Sequence, residues 1–173
     1  MTSPSPAITL PEGYDADVAL RLDNQLCFPL WAAAKEVVRR YAPMLDELGI
    51  TYTQYICLMA LWEKDEIGVR ELGSRLYLDS GTLTPLLKKL EAKGLVRRSR
   101  SEADERAIVI RLTEEGRSLK GRAATVPLRI AGCFDLEPEE AVQLVSLLRK
   151  VLDGPTAPAE TGNGTAAAPE AVA

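Results

Sequence analysis

The stretch VRELGSRLYLDSGTLTPLLKKLEAKGLVRRSRSEADERAIVIRLT, Val69 to Thr113, decides the fold. Leu72 and Leu76 place apolar side chains on one face of a short helix, Val69 to Leu76. A tight connection, Tyr77 to Asp79, leads to Ser80, read as the cap of a longer helix that runs to about Lys93. Leu83, Leu86, Leu87 and Leu90 keep helical spacing in it, and Gly94 stands where a C-terminal cap belongs. Pro85 falls in its second turn, at some cost to regularity. LVRRSR and AIVIRLT then read as two short strands joined by the charged turn SEADER. Short helix, tight turn, longer helix and two-stranded ribbon predict a winged helix-turn-helix.

That order of elements has a mechanical use. The longer helix can offer its first turns to base edges in a major groove while the shorter one braces it on the backbone. Gly81, Thr82 and Thr84, with Ser80 before them, leave the leading face small and polar, so double-stranded DNA can approach closely. Lys88, Lys89, Arg97 and Arg98 are placed to neutralise phosphates, which adds affinity without sequence information. The ribbon tip holds Arg100 and Arg106, and a tip arginine suits an A·T-rich minor groove. Asp104, two residues before Arg106, can orient its guanidinium by paired hydrogen bonds.

The charge distribution agrees with a local DNA reader. Net charge is −4, yet residues 70–111 carry 10 Lys and Arg against 6 Asp and Glu, a local excess of +4 in an acidic chain. At 173 residues the chain is long enough for one cored domain, and hydrophobic content of 46% is ordinary for a globular protein. No apolar run reaches a membrane-spanning length, and MTSPSPAITLPEG has neither the basic start nor the apolar core of a signal peptide. A cytoplasmic location is expected, where any disulfide would be transient. Histidine is absent, which excludes histidine-based acid–base catalysis. The three cysteines lack zinc-ligand spacing, so neither a metal nor another cofactor is expected.

Around the reader, residues 1–15 are expected to form a flexible arm, rich in proline at Pro4, Pro6 and Pro11, and residues 153–173 a disordered tail. Residues 17–42 are largely helix-compatible. Pro29 interrupts them: either the helix kinks there or its regular part begins shortly before, and both readings leave Cys27 near a helix start. A helix from about Thr53 to Glu63, capped by Thr51 or Thr53, carries Cys57 as a small buried hydrophobe. Thr113 opens a helix to about Thr125, and Pro127 interrupts the pattern again. Pro138 opens a last helix to Leu152, apolar over more than one face, as expected where helices pack on a second subunit. The fold class is mainly α with a small β-ribbon. One domain spans 16–152, its DNA-binding part about 53–112 and its dimerisation parts about 16–45 and 113–152. Cys27 and Cys133 bracket the DNA reader, which suggests a repressor switched by oxidation.

YLDSGTLTPLLKKLEAKGLVRRSRSEADER resembles the winged-helix core of the MarR-type transcription regulators, and LDNQLCFPLW with ITYTQY narrows the resemblance to their organic-hydroperoxide-sensing, OhrR-like branch. It covers about Leu20 to Leu152. The resemblance implies a homodimeric repressor, not an enzyme, that binds an inverted-repeat operator and releases it when a reactive cysteine is oxidised by organic hydroperoxide. On the motif match that cysteine is Cys27. Two tyrosines that hydrogen-bond its sulfur carry over to Tyr41 and Tyr52, one of them from the other subunit. Cys133 takes the place of the resolving cysteine, linked as a disulfide to the partner's reactive cysteine. The chain departs from the family at Pro29 and at Trp31, where some relatives have tyrosine. Two other functions remain open at this point. One is a thiol peroxidase turning over at Cys27; the other is a regulator that binds a small aromatic ligand reversibly.

Overall fold

The structure, a computed structural model, describes residues 12–100 and 108–154. The expected arm and tail fall mostly outside that range, as do Asp104 and Arg106. Two compact units are distinguishable, one formed by the chain up to Lys35 together with Leu136 onward, the other by Glu36–Asp135. The described residues are mostly helical with one small antiparallel sheet, as the sequence predicts.

In the second unit the core gathers on a helix rich in leucine. Helix α3, Tyr52–Glu63, starts with a reciprocal cap: Gln54 N–H donates to Thr51 Oγ1 at 3.4 Å, and Thr51 N–H donates to Gln54 Oε1 at 3.1 Å. Strand β1, Ile67–Gly68, leads into α4, Val69–Leu76. Tyr77 then turns the chain through the left-handed region at φ 54°. Helix α5, Ser80–Ala92, buries Leu83, Leu86, Leu87 and Leu90 in the same core as Leu58 and Leu61 of α3, Leu72 of α4 and Ile67 of β1. Gly94, at φ 70°, ends the helix by permitting a conformation that side chains resist, and Leu95 N–H donates back to the Leu90 carbonyl at 3.0 Å.

Strands β2, Val96–Arg100, and β3, Ile108–Leu112, pair antiparallel from Val96 opposite Leu112 to Arg100 opposite Ile108. A third strand was not expected: β1 adds to the far edge of β3, with Ile67 opposite Ile110, giving the order β1-β3-β2. Two residues show no alternation that a sequence pattern could reveal. The helix expected from Thr113 to about Thr125 is α6, Glu114–Ala123, and a further short helix, α7 Val126–Ala131, follows it. Pro127 sits in the first turn of α7, where a missing N–H costs nothing.

The remaining elements are α1 Ala16–Ala19, a 3₁₀ turn at Leu22–Asn24, α2 Cys27–Asp46 and α8 Pro138–Leu152. Helix α2 begins at Cys27, so Pro29 lies in its first turn and not at a kink. It also runs through Pro43, near its end, which the sequence pattern did not anticipate. Neither α1, the 3₁₀ turn nor α8 has a buried residue, although Leu20, Leu22, Val142, Leu144, Leu147 and Val151 are apolar.

The base of the wing is pinned where α6 meets β2. Thr113 caps α6, accepting from Gly116 N–H at 3.0 Å, and its own hydroxyl donates to the Gly94 carbonyl at 2.5 Å. A Cβ on Gly116 would lie 2.0 Å from the Leu95 carbonyl oxygen, so only glycine fits. Gly116→Ala is expected to destabilise the protein by about 2–4 kcal/mol, read as a lower urea midpoint. A variant with an unchanged midpoint would show that α6 is not seated against the backbone at Leu95.

Candidate DNA interface and sensing thiols

The burial of its leucines decides which side of α5 faces outward. Ser80, Gly81, Thr82, Thr84, Lys88 and Lys89 are all exposed. The cap is Asp79, which corrects the assignment to Ser80: Thr82 N–H donates to Asp79 Oδ1 at 2.8 Å, and the Thr82 hydroxyl donates to Oδ2 at 3.1 Å. Ser80 is already the first helical residue, where its side chain cannot accept from the turn ahead. Gly81 has a local reason as well, since a Cβ there would meet Asp79 Oδ1 at 3.0 Å. Pro85 has no N–H and so cannot donate to the Gly81 carbonyl one turn back.

The cations divide into free and engaged. Lys88, Lys89, Arg97 and Arg100 are exposed. Arg98 is partly buried; its N–H donates to Glu91 Oε1 at 3.2 Å, and its Nε lies 3.6 Å from Glu91 Oε2. Its backbone and side chain both meet Glu91 at the α5–β2 corner.

The three cysteines differ sharply in environment. Cys57 is 0% exposed in α3, and burial pushes its thiol up to about 12, which leaves it protonated and unreactive at neutral pH. Cys27 is exposed as the first residue of α2. Cys133 is exposed just past α7, its thiol donating to the Arg129 carbonyl at 3.5 Å and its N–H to the Ile130 carbonyl at 2.9 Å. Its own carbonyl accepts from Arg40, whose guanidinium also lies 5.3 Å from the Phe134 ring centre and donates to Glu36 at 2.8 Å. Hydrogen bonds from Arg39 and Arg40 hold the Glu36 carboxyl down to about 2. Nothing in the sequence marked Arg40 for this role, because the contact crosses 93 residues.

Tyr41 and Tyr52 are brought together within the second unit, ring centres 4.9 Å apart and planes at 60°. Burial raises both phenols above their ordinary range, and for Tyr41 the neighbouring phenols add to it. Both therefore stay protonated and can act as hydrogen-bond donors. Cys27 belongs to the first unit, with Phe28 and Trp31 stacked at 6.2 Å beside it and the Lys35 ammonium 4.4 Å from the Trp31 ring. Trp31 offers no hydroxyl. Among the described residues no group of three acidic, cysteine or histidine side chains could hold a metal, and no helix is long and apolar enough to cross a membrane.

A helix-turn-helix with a β-wing, an outward small-polar face and a basic rim defines the winged-helix transcription regulators. Residues 39–122 match the family model described as transcriptional regulator SarA/Rot. The chain is 48% identical over 134 residues to the organic hydroperoxide resistance transcriptional regulator of Bacillus subtilis strain 168, covering 78% of this chain and 91% of that one. Two solved structures of AbfR, a Staphylococcus epidermidis protein, are each 34% identical over 79% of this chain. Reduced AbfR bound to DNA is covered over 93% at a TM-score of 0.66, and disulfide-formed AbfR over 96% at 0.55. This chain belongs to the MarR-type transcription regulators, in their organic-hydroperoxide-sensing, OhrR-like branch. It is a regulator and not an enzyme.

The Asp79 cap yields a prediction with a sign. Its carboxyl is held below the ordinary carboxylate range by hydrogen bonds from the Thr82 backbone and hydroxyl. The stabilisation it gives α5 is therefore present above the unfolded carboxylate pKa and is lost as pH falls through the lower folded value. Asp79→Ala is expected to speed hydrogen exchange at the Thr82 amide at neutral pH and to remove the acid-dependent part of that exchange. Exchange equal to wild type at every pH would refute the capping role.

Proposed function

We propose that this regulator is a homodimeric repressor that binds an inverted-repeat operator. It lets go when organic hydroperoxide oxidises Cys27 and the oxidised sulfur is joined to Cys133 of the partner subunit. The observation that carries this reading is the division of the thiols: Cys57 is sealed and protonated, while Cys27 and Cys133 are open to solvent. Its relatives support the coarser statement directly, since the chain resembles a hydroperoxide-resistance regulator and a protein solved both on DNA and in a disulfide form. A DNA-binding, redox-sensing repressor of this kind acts in the cytoplasm, where its operator lies.

The chemistry needs a thiolate at Cys27. It attacks the outer oxygen of the hydroperoxide; the O–O bond breaks, the alkoxide leaves and takes up a proton as the alcohol, and Cys27 becomes a sulfenic acid. The thiolate of the partner subunit's Cys133 then attacks that sulfur, an S–S bond forms, and hydroxide leaves as water after protonation. The first amides of α2 and the hydroxyls of Tyr41 and Tyr52 are suited to stabilise the initial anion. Cys27 and Tyr41 lie fourteen positions apart along α2, about 21 Å of helical rise. Contact between them calls for two subunits or for a break in α2. A second subunit also supplies cover for the apolar residues of α1 and α8, which bury nothing in a single chain.

For the operator, the exposed residues Ser80, Gly81, Thr82 and Thr84 suit base edges, and Lys88, Lys89 and Arg100 suit phosphates or the flanking minor groove. Asp104 and Arg106 complete the proposed wing tip. Lys88→Ala is expected to weaken binding to all sequences alike and to lower the salt slope by about one unit, measured by titration over a range of ionic strength. Unchanged binding and slope would displace Lys88 from the interface.

The switch is tested with cysteine variants. Cys27→Ser should bind operator yet ignore organic hydroperoxide. Cys133→Ser should react but yield no linked dimer on non-reducing electrophoresis, and wild type should yield one that dithiothreitol dissolves. A wild-type band that stays at monomer mass while DNA is released would sink the intersubunit disulfide. Light scattering that returns a stable monomer at micromolar concentration would sink the dimer.

A further inference from the structure

The two tyrosines have a third ring behind them. Tyr55, on α3, is 3% exposed, whereas Tyr41 and Tyr52 are only partly buried. Its ring centre lies 6.0 Å from that of Tyr41, the planes tilted by 41°. On its other side Tyr55 meets the Trp62 ring edge-on, centres 6.3 Å apart and planes at 68°. Trp62 is itself tied down, its indole N–H donating to the Gly116 carbonyl at 2.8 Å. Gly116 is the residue whose α-carbon leaves no room before the Leu95 backbone. A row of four rings thus runs from a pinned stretch of backbone to the tyrosine pair.

Such a row has a mechanical consequence. Tilted rings with centres about 4.5–7 Å apart attract through complementary edges and faces, and close packing allows few rotamers. A phenol has two side-chain torsions; once packing sets them, its oxygen is placed and only the O–H rotor is free. Tyr41 touches both Tyr52 and Tyr55, so its plane is held from two sides. Tyr52 is held through Tyr41.

We propose that Tyr55 is the positioning residue for the thiolate-stabilising pair. Its ring, backed by Trp62, sets the planes of Tyr41 directly and of Tyr52 through Tyr41, and so aims the two hydroxyls. The proposal rests on the reading of Tyr41 and Tyr52 as donors to the Cys27 thiolate. It gives Tyr55 a role through its ring and none through its own hydroxyl.

The test compares Tyr55→Leu, Tyr55→Phe and Tyr41→Phe in the full-length protein. Two quantities are read: the rate of sulfenic acid formation at Cys27 with cumene hydroperoxide, and the pH profile of Cys27 alkylation by iodoacetamide. Tyr55→Leu is expected to slow sulfenic acid formation about tenfold, the effect of one misdirected hydrogen bond to a charged group. It should also displace the alkylation profile to the alkaline side, as Tyr41→Phe does, while operator binding by the reduced protein is retained. Tyr55→Phe keeps the ring and should restore both quantities. A Tyr55→Leu protein that binds operator and reacts as wild type does overturns the proposal, and so does a Tyr55→Phe protein as slow as Tyr55→Leu. Should Tyr55→Leu fail to fold, Trp62→Leu loosens the same ring from behind with the same expectation, and wild-type kinetics there overturn it equally. If Tyr41→Phe itself reacts as wild type, the donor reading fails and the proposal falls with it.

Discussion

Four leucines of one helix organise the DNA-binding unit. Burial of Leu83, Leu86, Leu87 and Leu90 in the core of that unit leaves α5 one rotational setting. Everything the helix can do for DNA follows from that setting, because the residues between the leucines have to face out. The small residues at its start then become an accessible surface, and Lys88 and Lys89 become a cationic flank. The same packing makes the Asp79 cap and the Gly81 gap matter, since a frayed first turn would blur the surface that the leucines present.

A second constraint works on chemistry. A thiol is useful as a peroxide sensor only where the anion is affordable and the oxidant can arrive. Cys57 fails on both counts inside α3, whereas Cys27 and Cys133 are open to solvent. Tyr41 and Tyr52 resist ionisation: burial keeps their protons on, and a phenol that holds its proton can donate to a neighbouring anion. Hydrophobic packing thus sets the chemical behaviour of polar groups. The pinned corner at Leu95, Thr113 and Gly116 links the wing base to Trp62, and through aromatic contacts to the same tyrosines.

Much of this was legible in the chain itself. The 3.6-residue spacing of the leucines announces α5 and its buried face, and Gly94 announces where it stops, because only local geometry is involved. The ribbon, the Thr113 cap and the exclusion of Cys57 from reactivity are local in the same sense, while Thr51 and Thr53 both offered a cap and the structure takes Thr51. The motif around Cys27 and the ITYTQY segment carried the family. Where two local rules competed, the sequence left the matter open or pointed one residue away. Ser80 and Asp79 are both good caps, and only the backbone conformation chooses between them. Pro29 could kink a helix or begin one, and only the start of α2 decides.

What the sequence by itself determined is therefore what depends on neighbours within a turn or a strand: helix faces, caps, basic segment, and the identity of the family. The tertiary structure decided what depends on residues far apart in the chain. Strand β1 exists because β3 has a free edge for two residues that carry no pattern of their own. Arg98 meets Glu91 at the α5–β2 corner, and the Cys133 carbonyl accepts from Arg40 across the chain. Tyr55 meets Tyr41 across fourteen positions of chain, ring centres 6.0 Å apart. Local rules act through backbone torsions and are written in order along the chain, whereas these contacts arise only when packing closes the distance.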